Sequence, residues 1–273
     1  LAKGDATMTK LAIHGGEKTV NLAGPVWPRL SDEDVEVGKA ALEAAKTDGS
    51  YLCAAGGGGP MEVFEQHFLA YQGAQYGFAL GAGGHALHVA CMVAAGPGEE
   101  ILCSPYSWGQ TAGAILEANA IPVYVDIDPD TLNLDPRKIE DKITDQTRAI
   151  MVVHIYGNPA DIKAIMAIAE KYNLYVIEDC AQANGATIDG QRVGTFGHFG
   201  CYSWGSGKNM SAGEGGFLVT KTEDLYLQAA LCGLHPGRHG KMVAGTPYEK
   251  YVDSLIYTYR PHPLACVLGD NQL

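Results

Sequence analysis

The chain has 273 residues, is 47% hydrophobic, and carries 19 basic against 31 acidic residues for a net charge of -12. A sequence of this size can bury a substantial core, as one large α/β domain or two smaller ones. The negative charge argues against sequence-independent binding to nucleic acid or to an anionic membrane surface, since both need a cationic face. No apolar run reaches the roughly 18 residues of a membrane helix, and the sequence does not start with a signal-peptide core, so we expect a cytoplasmic protein.

Seven cysteines are scattered along the chain without a Cys-x-x-Cys pair. Their number is odd and most have apolar neighbours, which favours free core thiols over a disulfide framework or a zinc site. The nine histidines form no cluster with these cysteines, so no structural metal is expected.

The first predicted elements are two helices. Ser31-Asp32-Glu33-Asp34 has the form of a capping box, and Pro60 can occupy the first position of the second helix. The predicted apolar faces comprise Val35, Ala41, Leu42 and Ala45 in the first helix and Met61, Phe64, Phe68 and Tyr71 in the second.

Strand and helix patterns then alternate. Strands are predicted near 76–80, 101–104, 121–126, 149–155, 174–178, 199–204 and 216–220, with helices near 86–95, 110–118, 136–143 and 161–172. Strands rich in Val and Ile between helices predict a three-layer α/β/α fold around a mostly parallel central sheet. Ligands bind such sheets beyond the carboxyl ends of the strands, so the residues that follow each strand are the candidates for function.

Gly81-Ala82-Gly83-Gly84-His85 follows the first of these strands and begins a helix. Free backbone amides and the positive end of the helix dipole can hold a phosphate there, and glycine permits a close approach. A plain tight turn explains the same pattern. A dinucleotide fingerprint does not, because no Gly-x-Gly-x-x-Gly is followed by a ribose-binding acid.

Asp179 ends the apolar run 174–177 and needs a partner, because an unpaired buried charge is costly. A protonated pyridine nitrogen is one such partner, and helix N-capping is the alternative role. On strand alternation Glu178 points the other way. Gln182 lies near enough in sequence to reach a ring oxygen or the substrate.

Two further side chains follow strands. Trp108 lies in a strand-to-helix turn, where its face can stack on a planar ring, although this residue taken alone favours core packing. Ser203 offers a hydroxyl to the same phosphate.

Lys208 lies in a glycine-rich loop, Gly205 to Gly216, between two apolar strands. Surface lysines usually have polar neighbours, whereas this loop lets a planar ligand approach the backbone. A lysine amine held in this way can form a Schiff base with a carbonyl compound such as pyridoxal phosphate.

Taken together, these residues resemble the DegT/StrS-type sugar and cyclitol aminotransferases, a family of fold-type I pyridoxal-phosphate enzymes. The resemblance runs from about Ile13 to the last residue. It is carried by the segments 122–128, 153–157, 178–183 and 208–216, which read PVYVDID, VHIYG, EDCAQA and KNMSAGEGG.

The resemblance implies a role for each candidate residue. Lys208 would form the Schiff base with the cofactor and Asp179 would pair with the pyridine nitrogen. The remaining cofactor contacts would come from Gly83, Gly84, His85, Trp108, Gln182, Ser203 and Thr258. Thr258 would reach the phosphate of a neighbouring subunit, so the resemblance also implies at least a homodimer with a shared active site.

The sequence departs from the family pattern at several positions. Gly84 replaces the first-turn Ser or Thr of the phosphate motif, Asn184 stands where His is frequent, and Thr258 replaces an Asn. The family also carries a C-terminal small domain after the position of Leu273, where this sequence ends. We therefore divide the chain into an N-terminal arm (1–30), a cofactor-binding large domain (31–250) and the start of the connection to the small domain (251–273).

The implied activity is transfer of an amino group from glutamine or glutamate to a keto-sugar or keto-cyclitol, such as an inosose, in an antibiotic or amino-sugar pathway. The alternatives are an aminohydroxybenzoate synthase, a sugar dehydratase or a catalytically silent partner subunit. The dehydratases of the family have His in place of the lysine, so Lys208 argues against that activity. The segment 234–241, LHPGRHGK, is predicted to be an exposed cationic loop.

Overall fold

The computed structural model describes residues 10–20, 22–24, 26–254 and 257–273. Its α-helices are α1 (Asp32–Thr47), α2 (Pro60–Gln72), α3 (Gly83–Ala94), α4 (Gln110–Glu117), α5 (Ile162–Tyr172), α6 (Glu223–Gly233), α7 (Pro236–Val243) and α8 (Pro263–Gln272). Its strands are β1 (Tyr76–Leu80), β2 (Glu100–Cys103), β3 (Ile121–Tyr124), β4 (Thr147–Val153), β5 (Tyr175–Asp179), β6 (Thr187–Ile188), β7 (Gln191–Arg192), β8 (Phe199–Ser203) and β9 (Gly216–Thr220). No helix among the described residues has the length and apolar character needed to cross a membrane.

Seven strands form the central sheet, in the order β1-β9-β8-β5-β4-β2-β3. Strand β9 runs antiparallel to both of its neighbours, and the other pairs from β8 to β3 are parallel. The mostly parallel sheet predicted from the sequence is thus confirmed. Because β1, β5 and β8 run in the same direction, their carboxyl ends lie along one edge of the sheet.

Helices cover both faces of the sheet. Apolar residues of α3, α4 and α6 pack against one face, and those of α2, α5 and α8 pack against the other. The second face contains an aromatic cluster in which Phe64 and Phe68 of α2 meet Trp204. This arrangement confirms the three-layer α/β/α architecture.

Helix α1 begins at the predicted capping box, but its predicted apolar face is wrong. Ser31 accepts a hydrogen bond from the backbone amide of Asp34, whose carboxylate accepts one from the amide of Ser31 in return. Ala41 is buried, whereas Val35 and Leu42 are exposed. The helix packs against α8 through a different face, where Asp34 accepts a hydrogen bond from Asn271 at 2.9 Å.

Two other local predictions are also wrong. The helix expected over 136–143 is a pair of short 3-10 turns, Pro136–Lys138 and Glu140–Lys142. The exposed loop expected over 234–241 contains most of helix α7, and Arg238 makes a two-point ion pair with the buried carboxylate of Glu65 at 2.9 and 2.6 Å. The segment therefore does not present Arg238 to solvent.

Helix α8 packs into the body of the domain. Cys266 lies in the same apolar cluster as Phe64, and the side chain of Gln272 accepts a hydrogen bond from the amide of Ser211 at 3.0 Å. Nothing in these contacts fixes a domain boundary, so the divisions at residues 30 and 250 stay predictions. All seven cysteines are free thiols and five of them are buried, as the sequence predicted.

Candidate cofactor and catalytic site

A cavity of about 740 Å³ lies beyond the carboxyl ends of β1, β5 and β8. The site residues predicted from the sequence that line it are Gly83, Gly84, His85, Trp108, Asp179, Gln182, Ser203 and Lys208. Five residues that no sequence pattern predicted as site residues also line it: Gln110, Thr111, Glu117, Glu214 and Tyr259. Residues separated by up to 177 positions therefore share one cavity.

Helix α3 begins at the floor of this cavity without a side-chain cap. Ala82 is the N-cap residue in an extended conformation, and its carbonyl accepts hydrogen bonds from the amides of His85 and Ala86. The amides of Gly83 and Gly84 have no acceptor within the helix, as expected for its first turn. They provide donors for an anion at the positive end of the helix dipole.

Gly83 is required for close packing against strand β8. A Cβ atom at this position would lie 2.6 Å from the Cβ of Ser203. The contact brings the start of α3 against the end of β8, so that the Ser203 hydroxyl lies beside the helix N-terminus. The positions of both residues agree with a shared role at a phosphate.

Asp179 is buried at the end of β5 with few partners. Its carboxylate accepts hydrogen bonds from the hydroxyl of Thr111 at 3.2 Å and from the amide of Ala181 at 3.1 Å. A carboxylate can accept about four hydrogen bonds, so acceptor capacity remains on the side of the cavity. Burial raises the pKa of Asp179, and the hydrogen bonds and the nearby Lys208 oppose this increase.

Glu178 lies on the opposite face of β5, as strand alternation predicted, and its carboxylate is fully satisfied. It accepts hydrogen bonds from the amides of Gly194, Phe196 and Gly197 at 2.8, 2.9 and 2.6 Å. His154 approaches the same carboxylate at 3.1 Å. Glu178 thus anchors the segment 194–197 beneath the sheet and takes no part in the cavity.

Glu178, His154 and Cys180 form a buried group with the composition of a metal site. The Nδ1 atom of His154 accepts a hydrogen bond from the amide of Ala160 at 3.0 Å, so its Nε2 carries the proton that is donated to Glu178. Burial raises the pKa of the Cys180 thiol well above its usual value, which disfavours a thiolate ligand. The geometry of these residues serves internal hydrogen bonding.

Lys208 is half-buried, and its ammonium makes no hydrogen bond to another described residue. The loop that carries it is held by its neighbour Asn209, which donates to the carbonyl of Asn184 at 2.9 Å. Asn184 in turn donates to the carbonyl of Ser203 at 2.8 Å. These two bonds connect the turn after Asp179, the end of β8 and the lysine loop, and no sequence pattern predicted them.

Trp108 lies at the mouth of the cavity and is 77% exposed. Core packing, the alternative explanation for this residue, is therefore wrong. Gln182 accepts a hydrogen bond from the amide of Tyr156 at 2.7 Å, and the Tyr156 hydroxyl meets that of Tyr106 at 2.8 Å. The two tyrosines thus form a hydroxyl pair that is connected to Gln182 through the backbone of Tyr156.

Thr258 does not line the cavity of this chain, in which its neighbour Tyr259 stacks on His85 with ring centroids 4.0 Å apart. Thr258 has a positive φ of 47°, which is unusual for a β-branched residue. The resemblance assigns Thr258 to the phosphate of a neighbouring subunit, and that assignment stays a prediction.

The residues of the cavity fit pyridoxal phosphate. Free amides at the start of α3 suit its phosphate, the spare acceptor capacity of buried Asp179 suits a protonated pyridine nitrogen, and Lys208 provides an amine for its aldehyde. The cavity is also large enough for a cofactor with a substrate, since small-molecule sites span about 300–1,000 Å³.

Comparisons with known proteins identify the family to which the chain belongs. The model of the DegT/DnrJ/EryC1/StrS aminotransferase family matches residues 22–273. The chain is 38% identical over 245 residues to the L-glutamine:scyllo-inosose aminotransferase of Streptomyces griseus, covering 88% of this chain and 55% of that protein. It is 35% identical over 240 residues to the L-glutamine:2-deoxy-scyllo-inosose aminotransferase of Streptomyces lividus, covering 86% and 54%.

Among solved structures, the aminotransferase from Psychrobacter cryohalolentis is similar, with a TM-score of 0.78 and 30% identity. The similarity covers 91% of this chain and 62% of that one. The chain spans about half the length of the curated relatives it matches.

Proposed function

We propose that this chain, which belongs to the DegT/DnrJ/EryC1/StrS aminotransferase family, is the cofactor-binding part of an aminotransferase. The proposed reaction moves an amino group from glutamine or glutamate to a keto-cyclitol of the inosose type or to a keto-sugar. The observation that carries the proposal is the convergence of Lys208, Asp179 and the uncapped start of α3 on one cavity.

The choice of donor and acceptor rests on the relatives. Both curated relatives described above use L-glutamine and an inosose by name, at 38% and 35% identity. Gln182 of the cavity is hydrogen-bonded to the backbone of Tyr156, whose exposed hydroxyl pairs with that of Tyr106. Together with the exposed side chain of Trp108, these hydroxyls would suit a polyhydroxylated ring. An apolar ring face and a hydroxyl-bearing edge are the two surfaces that a cyclitol presents.

When bound, pyridoxal phosphate supplies an electron sink for the negative charge that develops on the substrate carbon. The amides of Gly83 and Gly84 and the hydroxyl of Ser203 would hold its phosphate. Asp179, kept in place by Thr111 and the amide of Ala181, would keep the pyridine nitrogen protonated. A cation in direct contact also stabilises the Asp179 carboxylate and lowers the pKa that burial raises.

Lys208 has two tasks in this mechanism. Its Nζ would hold the aldehyde of the cofactor until the amino group of the donor takes its place. As a free amine, Lys208 would then take up the proton of the substrate carbon and later give it back, acting first as general base and then as general acid. The Asn184–Asn209 bonds keep the loop of Lys208 near Asp179 during both steps.

A homodimer and a cytoplasmic location complete the proposal. Trp108, which lines the cavity, and Tyr156 have large exposed side chains that a second subunit would cover. Free thiols at all seven cysteines suit a reducing compartment.

The proposal is tested by adding pyridoxal phosphate to the protein and recording the visible absorption band of the Schiff base. Lys208→Ala serves as the control and should lack the band. L-Glutamine and L-glutamate are then compared in the donor half-reaction, and a panel of keto-cyclitols and keto-sugars in the acceptor half-reaction. A protein without a lysine-dependent band is not an aminotransferase, and one with a band but no donor half-reaction is a silent subunit.

A further inference from the structure

The side chain of Gln110 occupies the space above Gly84 at the start of α3. A Cβ atom at Gly84 would lie 2.9 Å from Cγ, 3.2 Å from Cδ and 3.4 Å from Nε2 of Gln110. Gln110 is the first residue of α4 and lines the cavity together with Gly84. The absence of a side chain at position 84 therefore makes room for a carboxamide from another helix.

A hydrogen bond orients this carboxamide. Its Nε2 donates to the carboxylate of Glu117 at 3.2 Å, and Nε2 rather than Oε1 is the terminal atom on the side of Gly84. A carboxylate only accepts hydrogen bonds, so the nitrogen must face Glu117 and Gly84. An amide nitrogen carries two N–H groups, and one of them remains for a ligand.

Few cationic side chains line the cavity, so a phosphate near Gly84 would have to be bound by neutral hydrogen-bond donors. Among the described residues that line it, Lys208 is the one lysine or arginine, and its amine is needed for the aldehyde. Burial lowers the pKa of His85 at the helix start, which favours the neutral imidazole. Glu117 and Glu214 add negative charge to the lining. A phosphate dianion in this cavity thus depends on N–H and O–H donors.

We propose that Gln110 is a phosphate-binding residue of this protein, whose Nε2 donates to the anion held by the amides of Gly83 and Gly84. The inference rests on the proposed function, because it concerns the phosphate of the same cofactor. Gln110 takes over the contact that a hydroxyl at position 84 provides in the family pattern. Glu117 assists by holding the carboxamide in the orientation that exposes its second N–H group.

The exchange between positions 84 and 110 can be measured as a double-mutant cycle. The variants are Gln110→Ala, Gly84→Ser and the combination of both, with Gln110→Met as a variant of similar size. Gln146→Ala, which removes an exposed glutamine in the turn before β4, is the matched control. For each protein the dissociation constants of pyridoxal phosphate and of pyridoxal, which lacks the phosphate, are obtained from the visible band.

We expect Gln110→Ala and Gln110→Met to weaken pyridoxal phosphate about tenfold, the effect of one hydrogen bond to a charged group, and to leave pyridoxal unchanged. In the Gly84→Ser background, Gln110→Ala should cost less than about threefold, because the serine hydroxyl then contacts the phosphate. Inorganic phosphate, added to the cofactor-free protein, should raise the melting temperature less in Gln110→Ala than in the parent.

Several results would overturn the inference. One is equal weakening of pyridoxal and pyridoxal phosphate, which would indicate a role in shaping the cavity. Another is an unchanged dissociation constant for pyridoxal phosphate in Gln110→Ala. Failure of the parent protein to form a Lys208-dependent band would overturn the proposed function and the inference together. If the parent and the variants all form a normal band, either of the two results above would overturn the role of Gln110 and leave the proposed function intact.

Discussion

Two adjacent carboxylates on β5 differ in their hydrogen bonding and in their surroundings. Glu178 is completely buried and accepts hydrogen bonds from three backbone amides and from His154. Asp179 is also buried and faces the cavity, but among the described residues it accepts bonds only from Thr111 and the amide of Ala181. The two residues are adjacent in sequence, but their side chains lie on opposite faces of the sheet.

The difference shows how a buried charge can be assigned a role. A carboxylate whose acceptor sites are filled by the protein's own donors stabilises the local fold, since removing it leaves those donors unpaired. A buried carboxylate with unused acceptor capacity next to a cavity suits a cationic ligand. We therefore expect Glu178 to stabilise the fold and Asp179, on the other face of β5, to bind the cofactor, and this difference can be tested.

The largest effect is expected for Glu178→Gln. One oxygen of the carboxylate becomes an NH₂ group that faces either two backbone amides or one amide and His154. At least two buried donors lose their acceptor, and we expect a loss of about 3 kcal/mol or more in the free energy of unfolding, measured by urea denaturation of the cofactor-free protein.

Glu43→Ala is the control for this variant. It removes an exposed glutamate whose partner Lys46 is also exposed, and such surface pairs contribute about 0–1 kcal/mol. A Glu178→Gln protein as stable as this control would show that the carboxylate of Glu178 is not a structural anchor.

The second largest effect is expected for Asp179→Asn. The amide oxygen of Asn can still accept from the amide of Ala181, and its NH₂ group can donate to the hydroxyl of Thr111, which can turn its own proton toward Ser107. The free energy of unfolding of the cofactor-free protein should therefore be equal or higher. The rate of amino transfer should fall at least about a hundredfold, because a neutral amide cannot keep the pyridine nitrogen protonated. Stability comes from denaturation, and the rate from the donor half-reaction in a stopped-flow experiment. If Asp179→Asn loses stability and keeps its rate, the assignments of the two carboxylates must be exchanged.

A pH dependence provides a third test, on the cofactor-free protein. The pKa of Asp179 is raised by burial, so the folded protein binds a proton more tightly than the unfolded chain, in which an Asp has a pKa of about 3.9. Protonation of Asp179 therefore stabilises the folded state, and this stabilisation is complete below the pKa of the unfolded chain. It is lost as the pH rises through the pKa of Asp179 in the folded protein, with a slope of up to about 1.4 kcal/mol per pH unit.

Asp179→Asn lacks this titration, so its unfolding free energy is the reference. The difference, parent minus Asp179→Asn, should fall with increasing pH across this window and become constant above it. Lys208 and His154 lower the pKa of Asp179 and therefore narrow this pH window. A difference that rises with pH would show that Asp179 is stabilised as a carboxylate before any ligand binds.

Much of this site follows from the sequence, because it lies where strands end. The patterns located β1, β5, β8 and β9 within a residue or two, and residues after strand ends converge in a parallel sheet. Alternation along β5 placed Glu178 away from Asp179. These inferences need only local periodicity and the direction of the strands.

The contributions from other elements could not be foreseen. Thr111 and Gln110 reach the cavity from α4, and their value depends on the distance between that helix and the ends of β5 and α3. The apolar face of α1 was misjudged because α8, which packs against it, has no pattern that identifies its partner. Tertiary contacts of this kind are set by packing between elements far apart in sequence.

The smallest predicted effect tests the support of Asp179 by Thr111. In Thr111→Val the carboxylate loses the hydroxyl at 3.2 Å, and Ser107 loses its partner at 2.7 Å. The hydrogen bond from Thr111 lowers the pKa of Asp179, so its loss raises that pKa further. We expect a cost of about 1 kcal/mol in the free energy of unfolding and a transfer rate several-fold lower.

Because the ionised carboxylate is the active form, the acid limb of the rate-against-pH profile should move to higher pH in Thr111→Val. Thr222→Val is the matched control, since Thr222 accepts a bond from the amide of Leu225 at the start of α6. It should lose similar stability without any change in the profile. If the acid limb does not move in Thr111→Val, the bound ligand alone sets the pKa of Asp179. The contact between the ligand and this carboxylate would then be sufficient for function without the hydrogen bond from Thr111.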